Sequence, residues 1–344
     1  MQSSTVVQIG TQTTQIIFDA QWAHLEQWAP KKHSIIVTDA HIFKHYSQQL
    51  TDWRTIVIPA GETHKQWETI EHICNKLLDY EADRHTTLVG LGGGVVTDIT
   101  GFAASIYKRG IRFGFLPSTI LGMVDAALGG KNGIDVGSQK NMIGIIRQPD
   151  FMLYHYSLLD TLPQQEWING FAEIIKHSCI ALPEMFSLLE KHNLHSFQSD
   201  RALLQQLIQE NALFKLSVVQ QDEHEKNTRK LLNFGHTLAH AIENDYALPH
   251  GFSVAIGMLF AAELSVKYTH FQEVERLKKV IQQFELPTSL HFNTDNALKH
   301  LYNDKKRNGS GVDFIVLKSI GEAQIHHIPI TNIKLALSTY ENSH

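Results

Sequence analysis

The sequence predicts two halves, an α/β domain built on a parallel sheet and then a mainly helical domain. Three observations carry this. Short apolar runs alternate with amphipathic stretches up to about residue 150, and a glycine cluster directly follows one of those runs. From about Pro163 onward almost every segment has helical spacing.

In chain order, Ser34–Asp39 and residues 55–59 are continuous apolar runs rich in β-branched residues, as expected of buried strands. Residues 67–80 carry Ile70, Ile73, Leu77 and Leu78 at helical spacing. Residues 86–91 form a further strand that runs straight into Gly92, Gly93 and Gly94, and residues 99–107 follow as an apolar helix. Strand, helix, strand and glycine cluster is the pattern of a parallel sheet with covering helices. Helical spacing then marks residues 165–180, 183–192, 201–221, 236–246, 254–268 and 273–284. Residues 221–227 read as a loop, and residues 313–318 are a late strand. No internal repeat is present.

Composition narrows the class. A chain of 344 residues calls for two domains, or one large domain with an elaborated half, and 43% hydrophobic with 19% charged residues fits a soluble globular protein. A net charge of −5 without a basic stripe argues against nucleic acid as a partner. Cys74 and Cys179 have no paired spacing, so a disulfide framework is not expected and a reducing cytoplasm is. No basic segment followed by an apolar one opens the sequence, so no signal peptide is expected. The stretch nearest to a membrane span, residues 114–130, carries Asp125 and several glycines, so no span is expected.

Gly92, Gly93 and Gly94 let a pyrophosphate approach the backbone, and a helix start there offers unpaired N–H groups. The spacing is not the dinucleotide fingerprint, and a plain structural turn explains the glycines equally well. Asp39 at one strand end, where a carboxylate meets ribose hydroxyls, and residues 61–65 after the next strand strengthen the nucleotide reading. Between residues 105 and 149, Lys131 and Lys140 stand among glycines and apolar residues rather than among other charges, which suits a phosphate. Glu173, His236 and His250 are candidate metal ligands, and one carboxylate with two imidazoles leaves zinc an open position. Spacing alone also permits His236 with His240, four apart on one helical face, and Glu173 lies four before His177.

Together these segments resemble the 3-dehydroquinate synthase family. The resemblance is carried by residues 92–110, 117–144, 162–176, 229–243 and 250–258, with weaker support from Asp304, Lys305 and Lys306, and covers most of residues 34–325. It implies a Rossmann-like NAD-binding domain over residues 1–155 and a helical metal- and substrate-binding domain over residues 156–344. It also implies bound NAD, a divalent metal (Zn2+, with Co2+ as a substitute) and a homodimer acting on a small sugar phosphate. Position by position, it implies Glu173, His236 and His250 as metal ligands and moves His240 to substrate and proton chemistry. The implied NAD contacts are Asp39, Glu62, Lys65, Gly92, Gly93, Gly94, Asp98, Ser118, Thr119 and Lys140. The implied substrate contacts are Arg109 (reaching a neighbouring subunit), Asp125, Lys131, Asn141, Lys176, Lys215, Arg229, Asn233, His240 and one of Lys305 or Lys306. Glu225 and His240 match proton acceptors, and Lys176 and Lys131 complete the catalytic set.

The reaction this implies converts 3-deoxy-D-arabino-heptulosonate 7-phosphate into 3-dehydroquinate and phosphate, the second step of the shikimate pathway. A ring hydroxyl is oxidised by NAD, phosphate is eliminated, the hydride returns, and the opened ring closes by an aldol reaction. Thr97, Ser118, Asn132 and Phe252 depart from the family's pattern, as does the linker at residues 136–139, but no ligand or charged contact is lost. Three rivals remain: a sugar-phosphate cyclase of the valiolone or inosose type, a metal-dependent polyol dehydrogenase, and a non-catalytic ligand-binding relative, against which intact Glu173, Lys176, His236, His240 and His250 argue. Gly129, Gly130, Lys131 and Arg229 favour a carboxylated substrate.

Overall fold

A computed structural model describes residues 4–137, 139–243, 245–305 and 311–343. The chain divides into two units, Met1–Pro163 with Ile208–Glu223, and Gln164–Leu207 with His224–His344. This division differs from a single cut after residue 155 chiefly in that Ile208–Glu223 groups with the first unit.

The first unit is built on strands β1 (Ser4–Ile9), β2 (Gln12–Ile17), β3 (Ser34–Asp39), β4 (Arg54–Ile58), β5 (Thr87–Gly92) and β6 (Arg112–Pro117). A hairpin of β7 (Lys131–Val136) and β8 (Gln139–Ile146) follows, then β9 (Phe151–Leu153). Seven strands form one sheet in the order β1-β2-β9-β6-β5-β3-β4, parallel throughout except for the β1–β2 pair. Every residue of β5 is buried, and so is every residue of β3 except the terminal Asp39, because helices cover both faces. Ile36, Val89, Leu91, Leu116 and Phe151 of the strands share one core with Leu25 and Tyr46 of the helices.

Because β4 lies on one side of β3 and β5 on the other, the β3–β5 boundary is where the strand order reverses. Crevices at such points receive ligands in open α/β sheets. The carboxyl ends of these two strands carry Asp39 and Gly92. The following helix, Gly94–Ile106, starts five residues earlier than its apolar run suggests, since Gly94, Thr97 and Asp98 interrupt the apolar pattern at its start.

The sequence does not announce β1 and β2. Their glutamines and threonines are polar, and the pair is joined by a tight turn at Gly10, with a φ of 55°. The β7–β8 hairpin is equally silent, because β7 is glycine-interrupted and β8 faces solvent along its length.

The second unit is mainly helical. The helix Gln164–Ala181 is buried without interruption from Trp167 to Ile180. The helix His250–Thr269 is long and apolar enough to cross a membrane by length and composition, but 72% of its apolar window is buried inside the protein. It serves as a core helix. Strands β10 (Gly311–Ser319) and β11 (Glu322–Pro329) form an antiparallel pair. Phe314 and Val316 pack with Ile256 and Phe260 of the core helix and with Leu337 and Tyr340 of the last helix, Ile330–Ser343. That last helix and the helix Thr294–Lys305 carry too many polar residues for their spacing to stand out.

Gly257 sets how closely the core helix approaches the chain before His236. A Cβ at Gly257 would lie 1.9 Å from the carbonyl oxygen of Gly235, so the side chain must be absent. Gly257→Ala is expected to destabilise the protein by about 1–3 kcal/mol or more, through forced separation of these segments. A urea unfolding midpoint unchanged from wild type would contradict this.

Candidate functional site

In the first unit, the loops after the sheet's carboxyl ends gather the residues expected to bind the nucleotide. Asp39 Oδ1 accepts from the backbone N–H groups of His41 and Ile42 at 2.8 and 2.9 Å, so this carboxylate also caps the helix Ala40–Tyr46. Gly93 stands at the N-cap of the helix Gly94–Ile106 with no side chain closing it, leaving the first N–H groups of that helix open to a ligand. Beside it, the Ser118 N–H donates to the Gly92 carbonyl at 2.9 Å, while the buried Ser118 Oγ has no hydrogen-bond partner among the described residues. A buried hydroxyl left in that state is stabilised by a polar ligand atom. Thr119 Oγ1 accepts from the Gly122 N–H and holds the turn. Glu62 is exposed, in a short turn after Gly61.

Lys65 is buried, and its ammonium donates to Asp98 Oδ2 and Asn141 Oδ1, both at 2.6 Å. Burial works against the ammonium, but Asp98, Glu62 and Asp135 outweigh it and hold its pKa above the ordinary lysine value. Asp98 feels two cations, Lys65 and Lys215, but they do not offset its burial. Burial pushes its pKa up to about 6 despite the pull of Lys65. Three carboxylates favour the ammonium, whereas at Asp98 burial, with Glu62, outweighs the two cations. Lys215 donates to the Asp125 carbonyl and Oδ1, both at 2.6 Å, making a second buried cation–carboxylate pair in this unit.

Asn132 explains one departure from the family's pattern. It is buried, and its amide donates to the carbonyls of Gly130 and Arg147, both at 2.8 Å, closing the base of the hairpin that carries Lys131 and Lys140. A Cβ at Gly101 would lie 1.8 Å from Asn132 Oδ1, so the asparagine needs a glycine on the facing helix. Thr97 is buried and donates to the Gly94 carbonyl at 2.9 Å. Lys131 and Arg109 are exposed, and Arg109 has a φ of 66°.

In the second unit, Glu173, His236 and His250 come together, with one donor atom from each lying within 4.8 Å of the others. Glu173 Oε1 lies 3.5 Å from His236 Nε2 and 3.1 Å from His250 Nε2. Tetrahedral zinc with bonds of about 2.0–2.1 Å separates its donors by roughly 3.3 Å, so the spacing suits such an ion. The other ring nitrogens face acceptors: His236 Nδ1 lies 3.3 Å from the Phe234 carbonyl and His250 Nδ1 3.4 Å from Glu243 Oε2. That arrangement directs both Nε2 lone pairs at the shared point. Lys176 meets the other oxygen of Glu173.

Burial, and then the nearby Lys176, hold the pKa of His236 well below the ordinary histidine value, so it offers a lone pair at neutral pH. At His250 burial acts the same way, but hydrogen bonds to Glu173 and Glu243 outweigh it and push the pKa up to about 10. Two carboxylates thus favour a positive charge at this point. His240 is exposed one turn beyond His236, with ring centroids 5.5 Å apart, so the pairing that spacing allowed is not the one the fold assembles with Glu173.

Asn233 donates to Glu225 Oε1 at 2.6 Å, and Arg229 is buried in the turn Thr228–Asn233. Lys305 ends its helix, and Lys306 lies outside the described residues. Glu243, a buried carboxylate on a candidate ligand, is absent from the sequence reading. Its one signal is a spacing of seven from His236.

A dinucleotide-type sheet and a helical unit with a carboxylate–imidazole triad define the class of NAD- and metal-linked enzymes acting on hydroxylated small molecules. Sequence models described as 3-dehydroquinate synthase N-terminal and C-terminal match residues 55–169 and 170–307. The chain belongs to the 3-dehydroquinate synthase family, a family of lyases. It is 41% identical over 302 residues to 3-dehydroquinate synthase of Campylobacter concisus, covering 84% of this chain and 86% of the relative. With the enzyme of Leptospira interrogans the identity is 37% over 319 residues, covering 89% and 88%. Among solved structures it is similar to ValA, a 2-epi-5-epi-valiolone synthase from Streptomyces hygroscopicus solved with NAD+ and Zn2+, with a TM-score of 0.86, 26% identity and 99% of each chain covered.

The raised pKa of Asp98 gives a pH dependence with a definite sign. Its folded value of about 6 exceeds the ordinary 3.8, so the folded state holds a proton the unfolded state has lost, and stability falls as pH rises between these values. The unfolding free energy of wild type minus that of Asp98→Asn is expected to fall by up to roughly 3 kcal/mol from pH 4 to 6 and to level off above. Parallel curves for the two proteins across that range would contradict it.

Proposed function

We propose that this chain is a 3-dehydroquinate synthase, converting 3-deoxy-D-arabino-heptulosonate 7-phosphate to 3-dehydroquinate and phosphate with bound NAD and a divalent metal, in the cytoplasm. The observation that carries the reading is the convergence of Glu173, His236 and His250 in a chain of this family. When bound, NAD supplies a reversible hydride acceptor and the metal polarises a substrate oxygen.

The chain's own residues have the following roles. Glu173, His236 and His250 would hold the metal, and Lys176 keeps Glu173 oriented while presenting an ammonium to the substrate. Asp39, Glu62, the Gly92–Gly94 turn, Ser118, Thr119 and Lys140 would hold NAD, with Lys65 and Asp98 fixing the floor of that crevice through their ion pair. Lys131, Asn141, Asp125, Lys215, Arg109, Arg229 and Asn233 would bind the phosphate, carboxylate and hydroxyls, with Lys305 or Lys306 adding one contact. Fixing one geometry through several steps supplies much of the rate. Glu225 and His240 would accept protons, and the hydrogen bond from Asn233 orients Glu225. Free, unpaired Cys74 and Cys179 are consistent with the cytoplasm. ValA keeps a second cyclase reading in play. Gly129, Gly130, Lys131 and Arg229 support the carboxylated substrate.

We further propose a homodimer. In β8, Met142, Ile143, Ile145 and Ile146 are all exposed, as is Val136 of β7. Successive side chains of a strand point to opposite faces, so β8 offers apolar surface on both, on an edge strand that a second copy would cover.

Purified, metal-loaded protein with NAD and the heptulosonate phosphate is expected to yield phosphate and dehydroquinate in equal amounts, without growing absorbance at 340 nm. Turnover of only an uncarboxylated sugar phosphate, or steady NADH release, would overturn the assignment. Glu173→Ala should lower kcat roughly 10³-fold. Ile143→Asp combined with Ile145→Asp should convert a sedimenting dimer to monomer, and an unshifted dimer would exclude this face.

A further inference from the structure

We propose that Glu243 is a positioning residue for the metal site, an anionic acceptor that sets the tautomer and basicity of His250. This rests on the reading of Glu173, His236 and His250 as ligands. Glu243 ends the helix His236–Glu243 and is 6% exposed. Seven residues complete nearly two helical turns, so Glu243 lies on the same helical face as His236. That face thus supplies one ligand at its start and the support for another at its end.

A buried carboxylate is costly at that position. The last turn of a helix is the negative end of its dipole and disfavours an acidic side chain, and burial disfavours the charge again. The contact with His250, whose Nδ1 lies 3.4 Å from Glu243 Oε2, works against both. The Glu243 carbonyl also accepts from the Leu248 N–H at 3.2 Å, securing the turn that brings the chain back to His250.

His250 opens the helix His250–Thr269, where the positive dipole end makes an imidazole a poorer electron donor. A carboxylate on its Nδ1 reverses this. It accepts a hydrogen bond from Nδ1–H, which leaves the Nε2 lone pair for the ion shared with Glu173, and adds negative charge behind the ring. Among the described residues His236 has the neutral Phe234 carbonyl in the corresponding place, so the two imidazoles are unequal donors.

The test is metal affinity, measured by titrating metal-free protein with Zn2+ and Co2+ against a chromogenic chelator. Glu243→Gln keeps the shape and removes the charge, and Glu243→Ala removes both. Affinity for Zn2+ is expected to fall about 10-fold in the first and up to about 100-fold in the second. The Co2+ absorption bands should shift, while NAD affinity and the metal-free melting temperature stay at wild-type values. If Glu243→Ala does not fold, Glu243→Gln decides alone. Zn2+ affinity within twofold of wild type overturns the proposal, as does a loss matched by falling NAD affinity and metal-free stability. Wild-type protein that takes up no Zn2+ sinks the underlying site reading as well, whereas wild type that binds normally beside equally competent variants sinks this inference alone.

Discussion

The structure of the second unit depends on one buried anion. Glu173 is fully buried in the middle of a helix that shows almost no surface, where an isolated carboxylate is far costlier than in water. Lys176 meets one of its oxygens and two imidazoles face the other, from helices that begin far along the chain. A buried anion of this kind holds its position only while those partners converge. The tight packing of the core helix against Gly235, and the 2.5 Å hydrogen bond from the Gly251 N–H to Asn169 Oδ1, keep them there. Core packing and site geometry are the same constraint in this unit.

The first unit solves a different electrostatic problem. Asp98, Glu62 and Asp135 share the Lys65 ammonium, and burial leaves Asp98 with an elevated proton affinity. A polar ligand there meets groups already committed to one another, which favours rigid presentation over rearrangement on binding. The helix start at Gly94 adds direction without adding a formal charge.

Much of this was legible in the sequence where burial is two-sided. β3 and β5 read as strands because both faces are covered, and the Gly92–Gly94 cluster marks the sheet's carboxyl edge for the same reason. One-sided or solvent-facing elements escaped, as in β1, β2 and the β7–β8 hairpin, whose residues carry no clean alternation. Spacing alone could not choose between His240 and His250, since a four-residue interval on one helix is visible along the chain and a contact between helices is not. Only the resemblance separated them, and the geometry favours His250. Glu243 was illegible for a related reason: a glutamate closing a short helix looks like a surface residue until the chain returns to meet it.

The contact between Asn132 and Gly101 carries a consequence for how this chain can diverge. The amide occupies the volume any side chain at 101 would need, so a mutational route through alanine at 101 is closed while asparagine stays at 132. The two positions must therefore change in a set order, with 132 shrinking before 101 grows. Descendants of this chain should record that order as linked substitutions at two sites far apart in the sequence.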